Sequence, residues 1–179
     1  EVHARFSGDD LYRDTISWEP MQDVSHAHAA GVMLAKLHHA ARDFHAPQRQ
    51  THILVARSEL ICAVDPIATL HAQLPERPAL ADYLQQRDWT ADLNAAMSPW
   101  HARAQSQLAA LPALWTHGDW HASNLSWSLE NKRIEVCAVF DFGLAARNFA
   151  LFDLATAIER NAIAWLALDQ DAARPQIAR

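Results

Sequence analysis

The chain has 179 residues, 50% hydrophobic and 20% charged, with a formal net charge of −6. That much apolar surface can bury a core, which excludes disorder as the main state, and 4 glycines with 8 prolines exclude collagen-like and Gly/Pro-rich repeats. An acidic chain without a Lys/Arg cluster is a poor partner for nucleic acid or an anionic membrane, and no apolar stretch approaches the roughly 20 residues that span a bilayer.

In chain order, Tyr12 to Trp18 reads as a short strand broken by Glu19-Pro20. Ser25 is an N-cap candidate for a helix to about Phe44, with Ala30, Met33, Leu34, Leu37 and Ala41 on one apolar face. Residues 48–64 read as irregular, with His52–Val55 and Leu60–Val64 extended. Asp65-Pro66 has the form of a helix start, and helices are expected over 65–73 and 78–87. A long amphipathic helix from Thr90 to Ala110 carries Leu93, Met97, Trp100, Ala104 and Leu108 on its stripe, and Pro99 should kink or split it. The period then shifts from 3.6 to 2. Leu114–Thr116 is a short extended run, and strands at 125–127 and 134–140 flank a polar turn, which predicts a hairpin. A last helix is expected over 151–168, followed by a frayed tail at 169–179. Helices first, then a small strand-rich patch, then another helix, indicate an α+β fold that is mostly helical.

The two cysteines, Cys62 and Cys137, form no metal-binding spacing and no disulfide framework. They read as two buried thiols in a reducing compartment, the cytoplasm.

Two stretches carry chemistry: His117-Gly118-Asp119-Trp120-His121-Ala122-Ser123-Asn124, in a loop between strands, and Phe140-Asp141-Phe142-Gly143 at the end of the next strand. A hairpin brings the ends of its strands together, so Asn124 and Asp141 are expected side by side. A carboxylate and an amide oxygen with room for water suit Mg²⁺ shared with phosphates. A loop Asp that receives a hydroxyl proton, a loop Asn on one metal and a D-F-G Asp on the other form the phosphoryl-transfer arrangement.

These paired motifs resemble the aminoglycoside phosphotransferase and choline kinase-like small-molecule kinases, which are similar to protein kinases in fold. Gly118 and His121 stand where protein kinases usually carry Arg and Lys. Ala29–His38 looks like the family's first helix after the interlobe hinge, and Asp153-Leu154-Ala155 like the start of its helix after D-F-G. The resemblance covers about residues 11–168 and implies the following. Asp119 is the catalytic base or hydroxyl-orienting group, Asn124 and Asp141 hold Mg²⁺, and ATP is the phosphoryl donor. The acceptor is a small-molecule hydroxyl, as in an aminoglycoside, choline or a homoserine-like compound. His117 braces the loop, and Asp153 ties down backbone near it or caps its own helix. Trp120 and His121 are candidates for the acceptor pocket, each set against plain packing or loop bracing.

The chain departs from the family pattern in one large respect. No phosphate-covering glycine loop is present, and Lys36 and Lys132, the only lysines, lack a strand context. With Glu1 rather than Met at the start, the expectation is a kinase C-terminal lobe whose ATP lobe lies outside the chain and which alone binds ATP poorly. Residues 1–24 are then a hinge remnant and 25–168 the helical lobe. Two other readings compete. A metal-dependent hydrolase would use His117, Asp119, His121 and Asp141, and a kinase-like binding module would have no catalysis. The His26/His28 and His38/His39 pairs are weak ligand sets, because helix neighbours one or two apart do not face each other.

Overall fold

The computed structural model describes residues 8–17, 19–48, 58–130 and 133–163. The chain divides into two compact units: residues 57–112, and the stretches 1–56 and 113–179 on either side.

The first unit is helical: α2 (Glu59–Cys62), α3 (Pro66–Gln73), α4 (Pro78–Leu84), α5 (Trp89–Met97) and α6 (His101–Ala109). Its starts follow capping chemistry. Asp65 accepts from the Ala68 N–H at 2.9 Å and is followed by Pro66, whose missing N–H costs nothing in a first turn. Asp88 does the same for Ala91. The long helix expected over 90–110 is two helices, broken at Ser98-Pro99-Trp100. Pro99 has no N–H for the ladder, and Trp100 N bonds Met97 O in a tighter turn. Of residues 60–64, expected to be extended, Leu60–Cys62 instead belong to the single helical turn of α2, closed by Cys62 N on Ser58 O, while Ala63 is extended. The expected strand at 52–55 lies outside the described residues.

The second unit holds α1 (Val24–Ala41), strands β1 (Leu114–Thr116), β2 (Leu125–Glu130), β3 (Arg133–Val139) and β4 (Ala146–Asn148), and α7 (Ala150–Ala162). The cap of α1 is Asp23, not Ser25. Its carboxylate accepts from the Ser25 N–H and hydroxyl, both at 2.6 Å, because a carboxylate outcompetes a hydroxyl for the first free N–H groups. The helix ends at Ala41, three residues short of expectation. Tyr12–Ser17 is a turn, not a strand: Asp10 accepts from Tyr12 N, and Thr15 N bonds Tyr12 O.

β2 and β3 form the expected antiparallel hairpin, paired from Leu125↔Val139 to Glu130↔Arg133, so the strands run further into the polar stretch than its composition suggested. The register slips between Ser126 and Trp127, where Cys137 on β3 is the extra, unpaired residue of a bulge. Asp9 bridges Trp127 through both main-chain bonds and seats the N-terminal segment on this hairpin. β1 pairs with β4, a strand that sequence reading missed. The core joins Tyr12, Ala30, Leu34, Trp120, Leu125 and Trp127, with α1 against β3 and β1. Of the expected α7, residues 164–168 lie outside the described residues. Cys62 is half-buried and Cys137 exposed, contrary to the expectation of two buried thiols, and the two form no disulfide with each other. Among the described residues no helix is long and apolar enough to cross a membrane.

Candidate active site

The hairpin end sets the site. Leu125 pairs with Val139, and one residue beyond that pair the Phe140 N–H donates to Asn124 O at 2.9 Å. Asn124 and Asp141 therefore flank the same open end of β2–β3, away from the turn, on two strands locked by main-chain bonds. The Asn124 side chain is buried, and its Nδ2 donates to Asp119 O at 2.9 Å. That bond uses the amide nitrogen and leaves the amide oxygen as the atom able to ligate a cation.

Asp141 is exposed and sits in the left-handed region at φ 51°, ψ 67°, where its Oδ1 accepts from Gly143 N at 3.1 Å. An Asx side chain tolerates this conformation by bonding its own turn. The turn lies directly against the 117–124 loop. Gly118 has φ +80°, and a Cβ there would stand 2.5 Å from Leu144 O. Only glycine permits both the dihedral and the approach.

His117 is completely buried, packed edge-to-face against Trp120 (centroids 5.4 Å apart) and tilted against Phe142 (4.9 Å). Its Nδ1 accepts from Asp119 N at 3.2 Å, so Nε2 carries the proton and donates to Phe140 O at 2.7 Å. Both ring nitrogens are committed to main chain, and His117 ties the loop to the β3 end.

Asp153 does not cap α7. Its carboxylate, 0% exposed, accepts from His117 N and Gly118 N, both at 2.9 Å, and from His38 Nε2 at 2.8 Å. Burial pushes this carboxyl up, but the bonds from His38, Gly118 and His117 outweigh it and hold it below the usual carboxylate range.

Asp119 itself is half-buried. His121 Nε2 lies 3.5 Å from its Oδ2 and Arg160 Nε 3.5 Å from its Oδ1. The His121 N–H is the main influence holding its pKa below the usual carboxylate range; burial opposes this, and the charges of His121, Arg160 and His117 add to the lowering, so the group is an anion at neutral pH. A carboxylate only accepts, which puts the His121 proton on Nε2, and Ser123 Oγ then donates to Nδ1 at 2.8 Å. Asp119 Oδ1 is buried and accepts no hydrogen bond among the described residues.

Trp120 packs in the core. It is 1% exposed and lines an apolar cavity of about 430 Å³ between α1 and α7. Sequence reading missed Arg160 and Asn161 on α7 and the partnership of His38 with Asp153, since nothing in their local sequence distinguishes them from ordinary helix polar residues. The donor set offered by Asn124 and Asp141, an amide oxygen and a solvent-facing carboxylate, is hard oxygen chemistry and fits Mg²⁺. Among the described residues no three His, Cys, Asp or Glu side chains gather to hold a metal, so a histidine–carboxylate zinc cluster has no counterpart in this geometry.

The family model described as "Phosphotransferase enzyme family" (APH) matches residues 3–178. No curated protein and no solved structure gives a significant match. The chain belongs to the phosphotransferase enzyme family.

Proposed function

We propose that this protein transfers the γ-phosphoryl group of ATP to a hydroxyl of a small molecule, on the C-terminal lobe of a protein-kinase-like fold. The observation that carries the reading is the state of Asp119: an ionised carboxylate with one buried oxygen accepting no hydrogen bond, on a loop pinned to the strand end that bears Asp141.

Asp119 accepts a hydrogen bond from the acceptor hydroxyl and aims its oxygen at phosphorus. A depressed carboxyl is a weak base, so orientation is its main contribution, and the proton passes to it late in the transfer. The hydroxyl oxygen forms the new bond to phosphorus while the bond from phosphorus to the bridging oxygen breaks, and ADP leaves with that electron pair. The Asn124 amide oxygen and the Asp141 carboxylate would hold Mg²⁺ together with the ATP phosphates, and the ion would supply charge neutralisation at the transferred group. His117 and Asp153 hold the loop against the strand end and do not react. The acceptor is an amino sugar, an aminoalcohol such as choline, or a homoserine-like compound, and a chain with two cysteines and no disulfide framework fits the cytoplasm. A hydrolase that uses His117 as a metal ligand is disfavoured by the commitment of both its ring nitrogens to main chain.

The test is release of ADP from Mg–ATP in the presence of aminoglycosides, choline and homoserine, with the phosphorylated product read by ³¹P NMR. Acceptor-dependent ADP release that is lost in Asp119→Asn is expected. Acceptor-dependent turnover of equal size in the variant would overturn the assignment.

A further inference from the structure

Helix α7 holds the 117–124 loop at more points than Asp153. Two turns further along, Asn161 Oδ1 accepts from Ala122 N at 3.1 Å, while its Nδ2 donates to Trp120 O at 2.8 Å and to Ala157 O at 2.7 Å. One amide thus takes main-chain groups on both sides of His121, and the bond to its own helix fixes its rotamer. The preceding residue, Arg160, is one-quarter exposed and places Nε 3.5 Å from Asp119 Oδ1. Asp119 therefore lies between two N–H donors, Arg160 and His121, each at 3.5 Å. That separation is beyond the usual N–H···O hydrogen bond, so the donors orient the carboxylate by their field and leave lone pairs for a hydroxyl.

We propose that Arg160 and Asn161 are positioning residues for Asp119, Arg160 acting on the carboxylate and Asn161 on the loop backbone. This rests on the phosphotransferase reading for its kinetic consequence, but not for its geometric one. Arg160 also stands 3.5 Å from Glu159 Oε2, a half-exposed partner on its own helix. If that pair were its whole role, its loss would leave turnover unchanged, since exposed ion pairs contribute little.

The experiment compares Arg160→Gln, Arg160→Lys and Asn161→Ala with the unmodified protein. Turnover, KM for ATP and for acceptor, melting temperature and the Asp119 ¹³Cγ resonance are read in each. In Arg160→Gln, kcat falls about 10- to 100-fold, as a misplaced catalytic group should, with KM within about twofold. Melting stays within about 2 °C and the Asp119 ¹³Cγ resonance moves. Arg160→Lys recovers part of kcat, because the charge returns without the planar fork. In Asn161→Ala, the Ala122 amide loses hydrogen-exchange protection. Wild-type kcat in Arg160→Gln, or a loss matched by an equal fall in stability, overturns the role of Arg160. Unchanged exchange at Ala122 overturns that of Asn161. If the unmodified protein transfers nothing, the proposed function falls, and an unmoved Asp119 resonance in Arg160→Gln then overturns the positioning claim separately.

Discussion

Asp153→Asn removes one charge and reverses one hydrogen-bonding group at the point where α7 meets the loop. In the native protein both carboxylate oxygens only accept, and three donors converge on them: His117 N, Gly118 N and His38 Nε2. An Asn at this position keeps one accepting oxygen but turns an NH₂ toward at least one of those donors. That leaves a buried N–H without a partner, at about 1–3 kcal/mol, and weakens bonds that had been charge-assisted. Removing one member of a buried charged cluster costs about 3–5 kcal/mol. At roughly 2–4 °C per kcal/mol for a chain of this size, the melting temperature should fall by roughly 6–20 °C near neutral pH. The pH dependence has a definite sign. The folded-state carboxyl is depressed, so its stabilisation is fully present above the unfolded value of about 3.9 and is lost as pH falls through the folded value. The gap between wild type and Asp153→Asn, followed by circular dichroism melts from pH 8 downward, should hold steady to about pH 4 and narrow below it. A difference below about 2 °C at pH 7, or one that widens in acid, refutes the assignment of Asp153 as the charged anchor of the loop.

Other outcomes follow from the same geometry. Asp119→Asn should lower kcat by about 10²- to 10⁴-fold with little change in melting, checked by ADP release and calorimetry. Asp141→Ala should raise the Mg²⁺ concentration needed for half-maximal turnover by about tenfold or more, read from a Mg²⁺ titration at saturating ATP. Gly118→Ala should destabilise by at least about 1–2 kcal/mol in a urea melt, because φ +80° is left-handed and the new Cβ meets Leu144 O.

What the sequence made legible was chemistry packed into short spacings. His117 to Asn124 and Phe140 to Gly143 stand out because few other roles need a Gly, an Asp and an Asn in one loop and a second Asp just past the next hairpin. The hairpin followed from period-2 patterning around a polar stretch, and the helix start at Pro66 from an Asp cap followed by proline in the first turn. The misses share a physical cause, which is that long-range partners decide weak local signals. Ala146-Arg147-Asn148 has no β-branched residue and becomes a strand only because β1, some thirty positions earlier, offers Leu114–Thr116 as a ladder. Leu60-Ile61-Cys62 has strand-like composition yet makes a helical turn, since four residues are too few for propensity to decide. Asn161 looks like any polar residue late in a helix until Trp120 and Ala122 are seen against it. Ser25 was the expected cap, but the helix begins one residue earlier, at Val24, and the Asp23 carboxylate takes the Ser25 N–H.

The central claim is that Asn124 and Asp141 together hold a divalent cation beside Asp119. Paramagnetic broadening by Mn²⁺ in the presence of ATP, read on assigned amide resonances, tests it most directly. The account predicts that the signals of residues 119–124 and 140–143 broaden first and that Asp141→Ala abolishes the effect. Broadening centred elsewhere, or undiminished in the variant, would contradict it.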